Sequence, residues 1–183
     1  MRGPKPLAVL RENGMQPTIA VPEPNTWRDL LKALDGMGRP LQGMPVAVQE
    51  YGVSNPELLQ ALEDRGVVVT RVPVYQWMLP EDIGPLRKAV RALMDGEADV
   101  VLFTNAVQVD HVMQVAEKEG GADRLRQAMS RVVVSAVGPI VAERLRAHGL
   151  PVDFEPSHPK MGIHVKETGE RAAALLLRKR RTV

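Results

Sequence analysis

Two Gly-Pro pairs, Gly3-Pro4 and Gly138-Pro139, stand where the sequence predicts that a helix begins. Proline in a first helical turn costs no hydrogen bond, and glycine lets a ligand approach the backbone closely. The amide N–H groups of such a turn attract carboxylate or phosphate. A sharp turn without a ligand explains either pair alone. Because the two pairs occupy equivalent places, anion binding and a sharp turn without a ligand explain them equally well.

Candidate side chains also follow the predicted strands. Thr104 and Asn105 come after one buried strand, and Tyr51 and Gly52 come after another. Asn105 would equally serve to cap the next helix. Tyr75 stands where an extended segment leaves the first half, and its phenol could donate a proton to a leaving hydroxyl or bind a carboxylate. The alternative for Tyr75 is a packed linker aromatic, which composition alone slightly favours.

Several kinds of catalytic site are excluded by the residues that the chain lacks. It contains no cysteine, which removes disulfides, thiolate nucleophiles and cysteine-based metal sites. Neither GxGxxG nor GxxxxGKS/T occurs, which argues against a nucleotide cofactor. The four histidines form no i, i+4 pair, and neither HExxH nor GxSxG is present. We therefore expect neither a metal nor another cofactor.

Charge and hydropathy indicate an ordinary globular protein. The net charge is +2, with 44% hydrophobic and 25% charged residues, so the body has no strong attraction for nucleic acid. Residues 178–181 are basic and could contact nucleic acid, but we favour a solvated helix end, where cations suit the helix dipole. No apolar run approaches the ~20 residues of a membrane span, and the amino terminus lacks a signal-peptide core. We predict a cytoplasmic protein that contacts neither nucleic acid nor membrane.

Helical and extended patterns alternate along the chain. We predict helices over residues 4–13, 27–34, 56–65, 85–94, 107–117, 125–129, 139–147 and 161–180. We predict strands over residues 18–21, 46–48, 67–69, 100–103, 132–135 and 152–154. Asn25 or Thr26 should cap the second helix, and Ser54 or Asn55 the third. Apolar strands separated by helices indicate an α/β fold with a mostly parallel sheet covered on both faces. Residues 71–77 read as an extended linker.

The two Gly-Pro helices repeat at an offset of 135 residues (138 − 3). Gly3 aligns with Gly138, and Gly14 aligns with Gly149, without a gap. Self-similarity at a fixed spacing indicates two related halves. A predicted strand precedes Gly138, whereas only Met1 and Arg2 precede Gly3. We therefore expect the first half to lack its leading strand and to expose a sheet edge that invites pairing.

Six short segments occur in this chain in an order and spacing typical of one family. They are Arg2-Gly3-Pro4-Lys5-Pro6, Pro22-Glu23-Pro24-Asn25-Thr26-Trp27, Val72-Pro73-Val74-Tyr75, Val101-Leu102-Phe103-Thr104-Asn105, Ala136-Val137-Gly138-Pro139 and Ser157-His158-Pro159-Lys160-Met161-Gly162. Each is weakly specific alone, but together they resemble uroporphyrinogen-III synthase over essentially the whole chain.

The resemblance implies two flavodoxin-like domains, with a cleft between them and a two-stranded β-ladder that joins them. One domain is inserted into the other. Residues 1–72 are then the later part of the inserted domain, residues 73–77 the ladder linker, and residues 78–183 the later part of the outer domain. Family members carry roughly a domain's worth more chain upstream.

The resemblance also implies a lyase reaction of tetrapyrrole and haem biosynthesis, the cyclisation of hydroxymethylbilane to uroporphyrinogen III with inversion of the last ring. Water leaves, an azafulvene cation forms, and a spiro intermediate rearranges without a cofactor or metal. Tyr75 matches the linker tyrosine of the family and is expected to assist departure of the hydroxyl. The expected substrate-binding residues are Gly3, Pro4, Lys5, Tyr51, Gly52, Thr104, Asn105, Gly138, Pro139 and Ile140. Ile140 and Val141 replace hydroxyl residues of many relatives, so contacts there should come from the backbone.

Three functions remain in competition at this point. The first is the synthase, whose family members are monomers, with association through an exposed sheet edge open to this shorter chain. The second is a shortened, non-catalytic module that binds tetrapyrroles or other anions. The third is a nucleic-acid partner acting through residues 178–181, which we do not favour.

Overall fold

The computed structural model describes residues 3–182 of the 183. The predicted match at Arg2 lies outside the described residues. The helices are α1 (Pro4–Glu12), α2 (Trp27–Asp35), α3 (Pro56–Glu63), α4 (Gly84–Met94), α5 (Ala106–Lys118), α6 (Ala122–Met129), α7 (Pro139–Ala147) and α8 (Met161–Thr182). The strands are β1 (Pro45–Glu50), β2 (Val68–Pro73), β3 (Val100–Phe103) and β4 (Val133–Ala136). This is an α/β fold with small parallel sheets, and it divides into a first unit, Met1–Met78, and a second unit, Leu79–Val183.

The first unit is built on the parallel pair of β1 and β2. The register runs from Pro45 opposite Val68 to Glu50 opposite Pro73. One face of this sheet packs on α2 and α3, around the buried side chains of Leu31, Leu58, Leu62 and Val67. Val68 and Val72, which alternate onto the other face, are exposed. Valine therefore lies on both faces of β2, and burial against α2 and α3 distinguishes the face that carries the helices.

Local hydrogen bonds set where the helices of the first unit begin. The Thr26 side chain accepts from the backbone N–H of Asp29 at 3.3 Å, and the Asp29 carboxylate accepts from the Thr26 N–H at 2.9 Å. This is a capping box. The Asn55 side chain accepts from the Leu58 N–H at 2.9 Å. Of the alternatives in the sequence, Thr26 and Asn55 are therefore the caps.

The second unit has a larger core around β3 and β4. These strands pair in parallel from Val100 opposite Val133 to Phe103 opposite Ala136. Every residue of β4 is buried. Helices α7 and α8 both contact β4, and α4, α5 and α6 pack on one another. The fully buried side chains at the centre include Val109, Leu125, Met129, Val134 and Leu145.

The basic run at residues 178–181 belongs to the body of α8. The Lys179 ammonium donates to the carbonyl oxygens of Met129 at 2.9 Å and Val132 at 2.7 Å. It also pairs with the Asp153 carboxylate at 2.6 Å, and its side chain is only 13% exposed. The prediction of a solvated helix end is therefore wrong for Lys179, because two backbone carbonyls and the Asp153 carboxylate satisfy its charge. None of the helices within residues 3–182 has the length and apolarity needed to cross a membrane.

Two of the predicted strands are reduced to single bridging residues. In the segment 18–21, Val21 alone bridges, and the prolines on either side of the segment have no N–H to donate. In the segment 152–154, Phe154 alone bridges, to Ser135 of β4. There the Asp153 carboxylate accepts from the Val134 N–H at 2.8 Å, so a side chain interrupts the backbone ladder.

The two repeated Gly-Pro helices end in the same way. After α1 the Met15 N–H donates to the Leu10 carbonyl, and after α7 the Leu150 N–H donates to the Leu145 carbonyl, both at 2.9 Å. The intervening glycine has a positive φ in each case, as this helix stop requires. Helices α3, α4 and α5 stop by the same hydrogen bond, so the shared ending does not by itself relate α1 to α7.

The same two helices begin differently. Gly3 has φ 86°, whereas Gly138 is extended with φ 173°. A third Gly-Pro pair, Gly84-Pro85, lies at the start of α4. The repeat thus carries less weight than the sequence suggested.

Candidate active site at the strand ends

The parallel strands of the first unit end side by side. Because Glu50 lies opposite Pro73, the segments that begin at Tyr51 and Val74 leave the sheet at the same edge. Carboxyl ends of parallel strands are where open α/β sheets bind ligands. Tyr51, Gly52 and Tyr75 are therefore brought together by the register of β1 and β2.

The phenol of Tyr75 stands at this edge with 48% of the residue exposed. Its ring meets the indole of Trp77 edge to face, with centroids 5.8 Å apart and planes at 71°. The indole Nε1 donates to the carbonyl of Tyr51 at 2.7 Å. Trp77 was not among the predicted site residues, although a tryptophan two residues from the candidate tyrosine was a signal available in a chain with six aromatic residues.

Gly52 is constrained both by its backbone and by its neighbours. Its φ is 90°, a value that side-chain-bearing residues rarely adopt. A Cβ there would lie 2.9 Å from Trp77 Cδ1 and 2.9 Å from the Tyr75 carbonyl oxygen. Glycine at position 52 therefore permits the segment of Tyr75 and Trp77 to pack directly on the end of β1.

An ion pair between a buried carboxylate and an exposed guanidinium closes the same edge. Glu50 is buried, and its carboxylate accepts from Arg71 of β2 at 3.1 Å. Hydrogen bonds from the Arg71 guanidinium and then from Ser54 hold the pKa of Glu50 below its usual range. Glu50 thus remains an anion whose charge Arg71 balances, so it adds little repulsion toward an acidic ligand.

The strand ends of the second unit lie together in the same manner. Phe103 is opposite Ala136, and the Val137 N–H donates to the Phe103 carbonyl at 3.0 Å. Thr104 and Asn105 thus lie beside the start of α7. The Asn105 side chain accepts from the Gln108 N–H at 2.9 Å, so the helix-cap alternative holds for Asn105. Because the cap uses the side-chain oxygen of Asn105, its amide nitrogen stays available as a hydrogen-bond donor.

Thr104 is held by Gln108, the residue whose backbone N–H the Asn105 side chain caps. The Thr104 N–H donates to Gln108 Oε1 at 2.9 Å, and the Thr104 hydroxyl lies 3.2 Å from that oxygen. Both Thr104 and Asn105 are only partly buried. Their fixed positions at a strand end make them suitable contacts for a polar ligand.

The start of α7 presents backbone rather than side-chain donors. Helix α7 has no side-chain cap, and Pro139 is its first residue. Ile140 is half-buried and Val141 is buried, and because both side chains are aliphatic neither supplies a hydroxyl. The amide of Ile140 lies in the first turn, where N–H groups have no intrahelical partner. These features suit contact with a carboxylate through the backbone alone.

Packing, and not its backbone angle, favours glycine at position 138. A Cβ on Gly138 would lie 3.2 Å from the Cβ of Pro159. The loop that carries Pro159 is tied down by Ser157, whose N–H donates to Glu167 at 2.9 Å. Hydrogen bonds from Ser157 lower the pKa of Glu167. The loop that carries Ser157 and Pro159 is therefore held against Gly138 at the start of α7.

The remaining candidates, Gly3, Pro4 and Lys5, lie at the start of α1. Lys5 is exposed, and α1, like α7, has no side-chain cap. No hydrogen bond, ion pair or ring contact within residues 3–182 joins Gly3 or Lys5 to Tyr75. The role of every candidate site residue stays a prediction.

A buried polar cluster lies behind the second strand end. The Ser135 hydroxyl is 2.7 Å from His164 Nε2 and 2.9 Å from the Thr168 hydroxyl. All three residues are at most 2% exposed, and His164 Nδ1 has no hydrogen-bond partner. Burial lowers the pKa of His164, so the ring is neutral. This cluster joins β4 to α8. Across residues 3–182, no group of three histidine or acidic side chains has the arrangement of a metal site.

Comparison with known proteins identifies the family. The sequence profile described as "Uroporphyrinogen-III synthase HemD" matches residues 1–165 of this chain. The chain belongs to this family. The resemblance drawn from the six short segments is thereby confirmed.

Two relatives of this chain come from Methanothermobacter thermautotrophicus and Bacillus subtilis. The Methanothermobacter thermautotrophicus protein named "Putative uroporphyrinogen-III synthase" is 34% identical over 148 residues, which are 81% of this chain and 56% of that protein. The Bacillus subtilis "Uncharacterized protein YjjA" is 32% identical over 167 residues, which are 91% of this chain and 60% of that protein.

Solved structures of the uroporphyrinogen III synthase of Thermus thermophilus share the α/β fold. One wild-type crystal structure has a TM-score of 0.51 and 31% identity, and covers 94% of this chain and 63% of that chain. A structure of a mutant form has a TM-score of 0.65 and 29% identity, with 94% and 64% covered. The present chain therefore spans between 56% and 64% of the length of the relatives described here.

Proposed function

We propose that this chain is a uroporphyrinogen-III synthase, which closes hydroxymethylbilane to uroporphyrinogen III with inversion of the last ring. The observation that carries the proposal is the exposed phenol of Tyr75, held at the joint end of β1 and β2. Its position in the sequence matches the linker tyrosine of the family. We also propose that the two units are parts of two flavodoxin-like domains, with boundaries at 1–72, 73–77 and 78–183.

Tyr75 acts as a general acid in this proposal. The phenol donates its proton to the hydroxyl of hydroxymethylbilane, and water departs with the bonding electrons to leave an azafulvene cation. The substituted carbon of the last ring attacks the cation and forms the spiro intermediate. Rearrangement then gives the inverted ring, and the proton released on aromatisation restores the phenol.

The remaining task of the protein is to fold the linear substrate so that the substituted carbon is the one attacked. The substrate bears eight carboxylates, according to the chemistry of the family. The amide nitrogen of Asn105 and the first turn of α7 offer hydrogen-bond donors at one sheet edge. Because Ile140 and Val141 lack hydroxyls, the carboxylate contacts of α7 are made by backbone N–H groups.

The test is isomer analysis of the product formed from freshly prepared hydroxymethylbilane. We expect the type III isomer in excess over the type I isomer that forms spontaneously. Product that is type I alone would refute the proposed function. Replacing Tyr75 by phenylalanine should lower kcat by about 10²-fold or more, because general acid catalysis contributes about that much. Tyr51→Phe removes a neighbouring phenol of similar exposure that is expected to bind substrate, so it should raise KM and leave kcat nearly unchanged.

A second candidate, a module that binds tetrapyrroles without turnover, is favoured by one observation. The first turn of α7 supplies no hydroxyl side chain, so the site is poorer in donors than that of many relatives. Thermal shift with uroporphyrinogen III under anaerobic conditions separates the two functions. A rise in the melting temperature without type III formation would support the module.

A further inference from the structure

We propose that Trp77 is a positioning residue for the Tyr75 phenol, an inference that rests on the function proposed for Tyr75. The indole donates from Nε1 to the carbonyl of Tyr51 at 2.7 Å, across a separation of 26 residues. The same indole meets the ring of Tyr75 edge to face at 5.8 Å. Trp77 therefore links the two segments that leave the sheet, and Tyr75 lies on one of them.

The space above Gly52 shows how closely these segments are seated. The atoms nearest to a Cβ built on Gly52 belong to the indole of Trp77 and to the backbone carbonyl of Tyr75. Beyond the end of β2 at Pro73, residues 74–80 have no regular secondary structure to hold them. Packing on Gly52, together with the indole hydrogen bond, supplies that restraint and sets where the phenol stands.

The exposure of the cluster argues that its role is not core formation. The chain has only six aromatic residues of the Phe, Trp and Tyr types, and three of them, Tyr51, Tyr75 and Trp77, meet here. Each is between 41% and 48% exposed, whereas Phe103 and Phe154 are buried in the second unit. Burial of apolar area is what large aromatic side chains contribute to a core. A half-exposed indole that is hydrogen-bonded to a backbone carbonyl and meets the Tyr75 ring edge to face is better suited to holding a phenol in place.

Two substitutions separate the hydrogen bond from the ring. Trp77→Phe keeps an aromatic ring and removes the donor, whereas Trp77→His keeps an N–H at the corresponding place of a five-membered ring. We expect Trp77→Phe to lower kcat by about 10- to 100-fold, the size of effect that misplacing a catalytic group produces, with KM changed less than about 3-fold. Trp77→His should recover part of the loss. An equal loss in both variants would overturn a role for the hydrogen bond.

A double-variant cycle tests whether Trp77 acts through Tyr75. In a Tyr75→Phe background, Trp77→Phe should change kcat by less than about 2-fold, because the group that it positions is already absent. If the two losses instead multiply in the double variant, Trp77 acts independently and the proposal is wrong. Circular dichroism of each variant checks that the helices are retained.

A spectroscopic measurement tests positioning without activity. The chain has two tyrosines, so labelling with fluorotyrosine gives two fluorine resonances, and Tyr51→Phe assigns that of Tyr75. We expect a narrow Tyr75 resonance in the wild type and in Trp77→His, and a broadened one in Trp77→Phe. An unchanged line width in Trp77→Phe would overturn the proposal. If the wild type forms no type III isomer, the proposed function fails, while this spectrum still decides whether Trp77 restrains Tyr75.

Discussion

Replacing Gly52 by alanine perturbs the site at its tightest point. The new Cβ would stand 2.9 Å from both the Tyr75 carbonyl oxygen and Trp77 Cδ1, closer than side-chain carbons approach other atoms. The backbone at Gly52 also has φ 90°, which disfavours any residue with a Cβ. Since the Cβ cannot be accommodated in place, the segment of Tyr75 and Trp77 must move away from the end of β1.

The magnitude follows from these two effects. A left-handed backbone costs about 1–2 kcal/mol for a residue other than glycine. Overpacking costs typically about 1–3 kcal/mol, but here the neighbouring segment is half-exposed and can shift, so the lower end applies. We therefore expect Gly52→Ala to lower the free energy of unfolding by about 2–3 kcal/mol and kcat by about 10- to 100-fold.

Gly43→Ala is the matched control for backbone strain. Gly43 has φ 73° and lies in the same unit, but a Cβ there meets no atom within 4 Å. It should cost about 1 kcal/mol and leave kcat unchanged. Urea unfolding followed by tryptophan fluorescence measures the first unit, because Trp27 and Trp77 both lie in it. If the two variants lose equal stability and retain equal kcat, the argument from the Cβ contact is refuted.

Two further predictions concern the second unit. Burial lowers the pKa of His164 in the folded state, so the unfolded chain binds a proton on this ring more tightly than the folded chain does. The free energy of unfolding should therefore decrease as the pH falls below about 6.5, by up to about 1.4 kcal/mol per pH unit. His164→Gln should give a shallower slope in urea unfolding at several pH values; an unchanged slope would contradict the assignment. Lys179→Met should cost about 3 kcal/mol, because it strands the Asp153 carboxylate. Lys166→Met, at a 75% exposed position, should cost less than about 0.5 kcal/mol, and equal costs would mean that burial of Lys179 contributes nothing.

The local features of the fold were predictable from the sequence. The helix predicted at residues 139–147 is α7 (Pro139–Ala147) without correction. Thr26 and Asn55 were each one of two predicted caps, and each cap bonds a backbone N–H three residues away. Because each of these interactions joins residues only three positions apart, the types of neighbouring residues are enough to predict it.

The features that the sequence misjudged depend on distant partners. Residues 18–21 have the pattern of a strand, but a strand exists only where another strand pairs with it. Residues 178–181 have the pattern of an exposed basic helix end, yet Lys179 reaches carbonyls about 50 residues earlier in the chain. Neither outcome could be derived from the residues of the segment itself.

By itself, the sequence determined the α/β class, most helices and strands, and the resemblance to the uroporphyrinogen-III synthase family. Its candidate residues were identified by type and by their place after a strand. Only the tertiary structure decided that Tyr51, Gly52 and Tyr75 share one edge, that Trp77 joins them, and that Pro159 packs against Gly138. The physical reason is that strand register and loop packing act between residues some 20 to 30 positions apart, and residue periodicity carries no record of those distances.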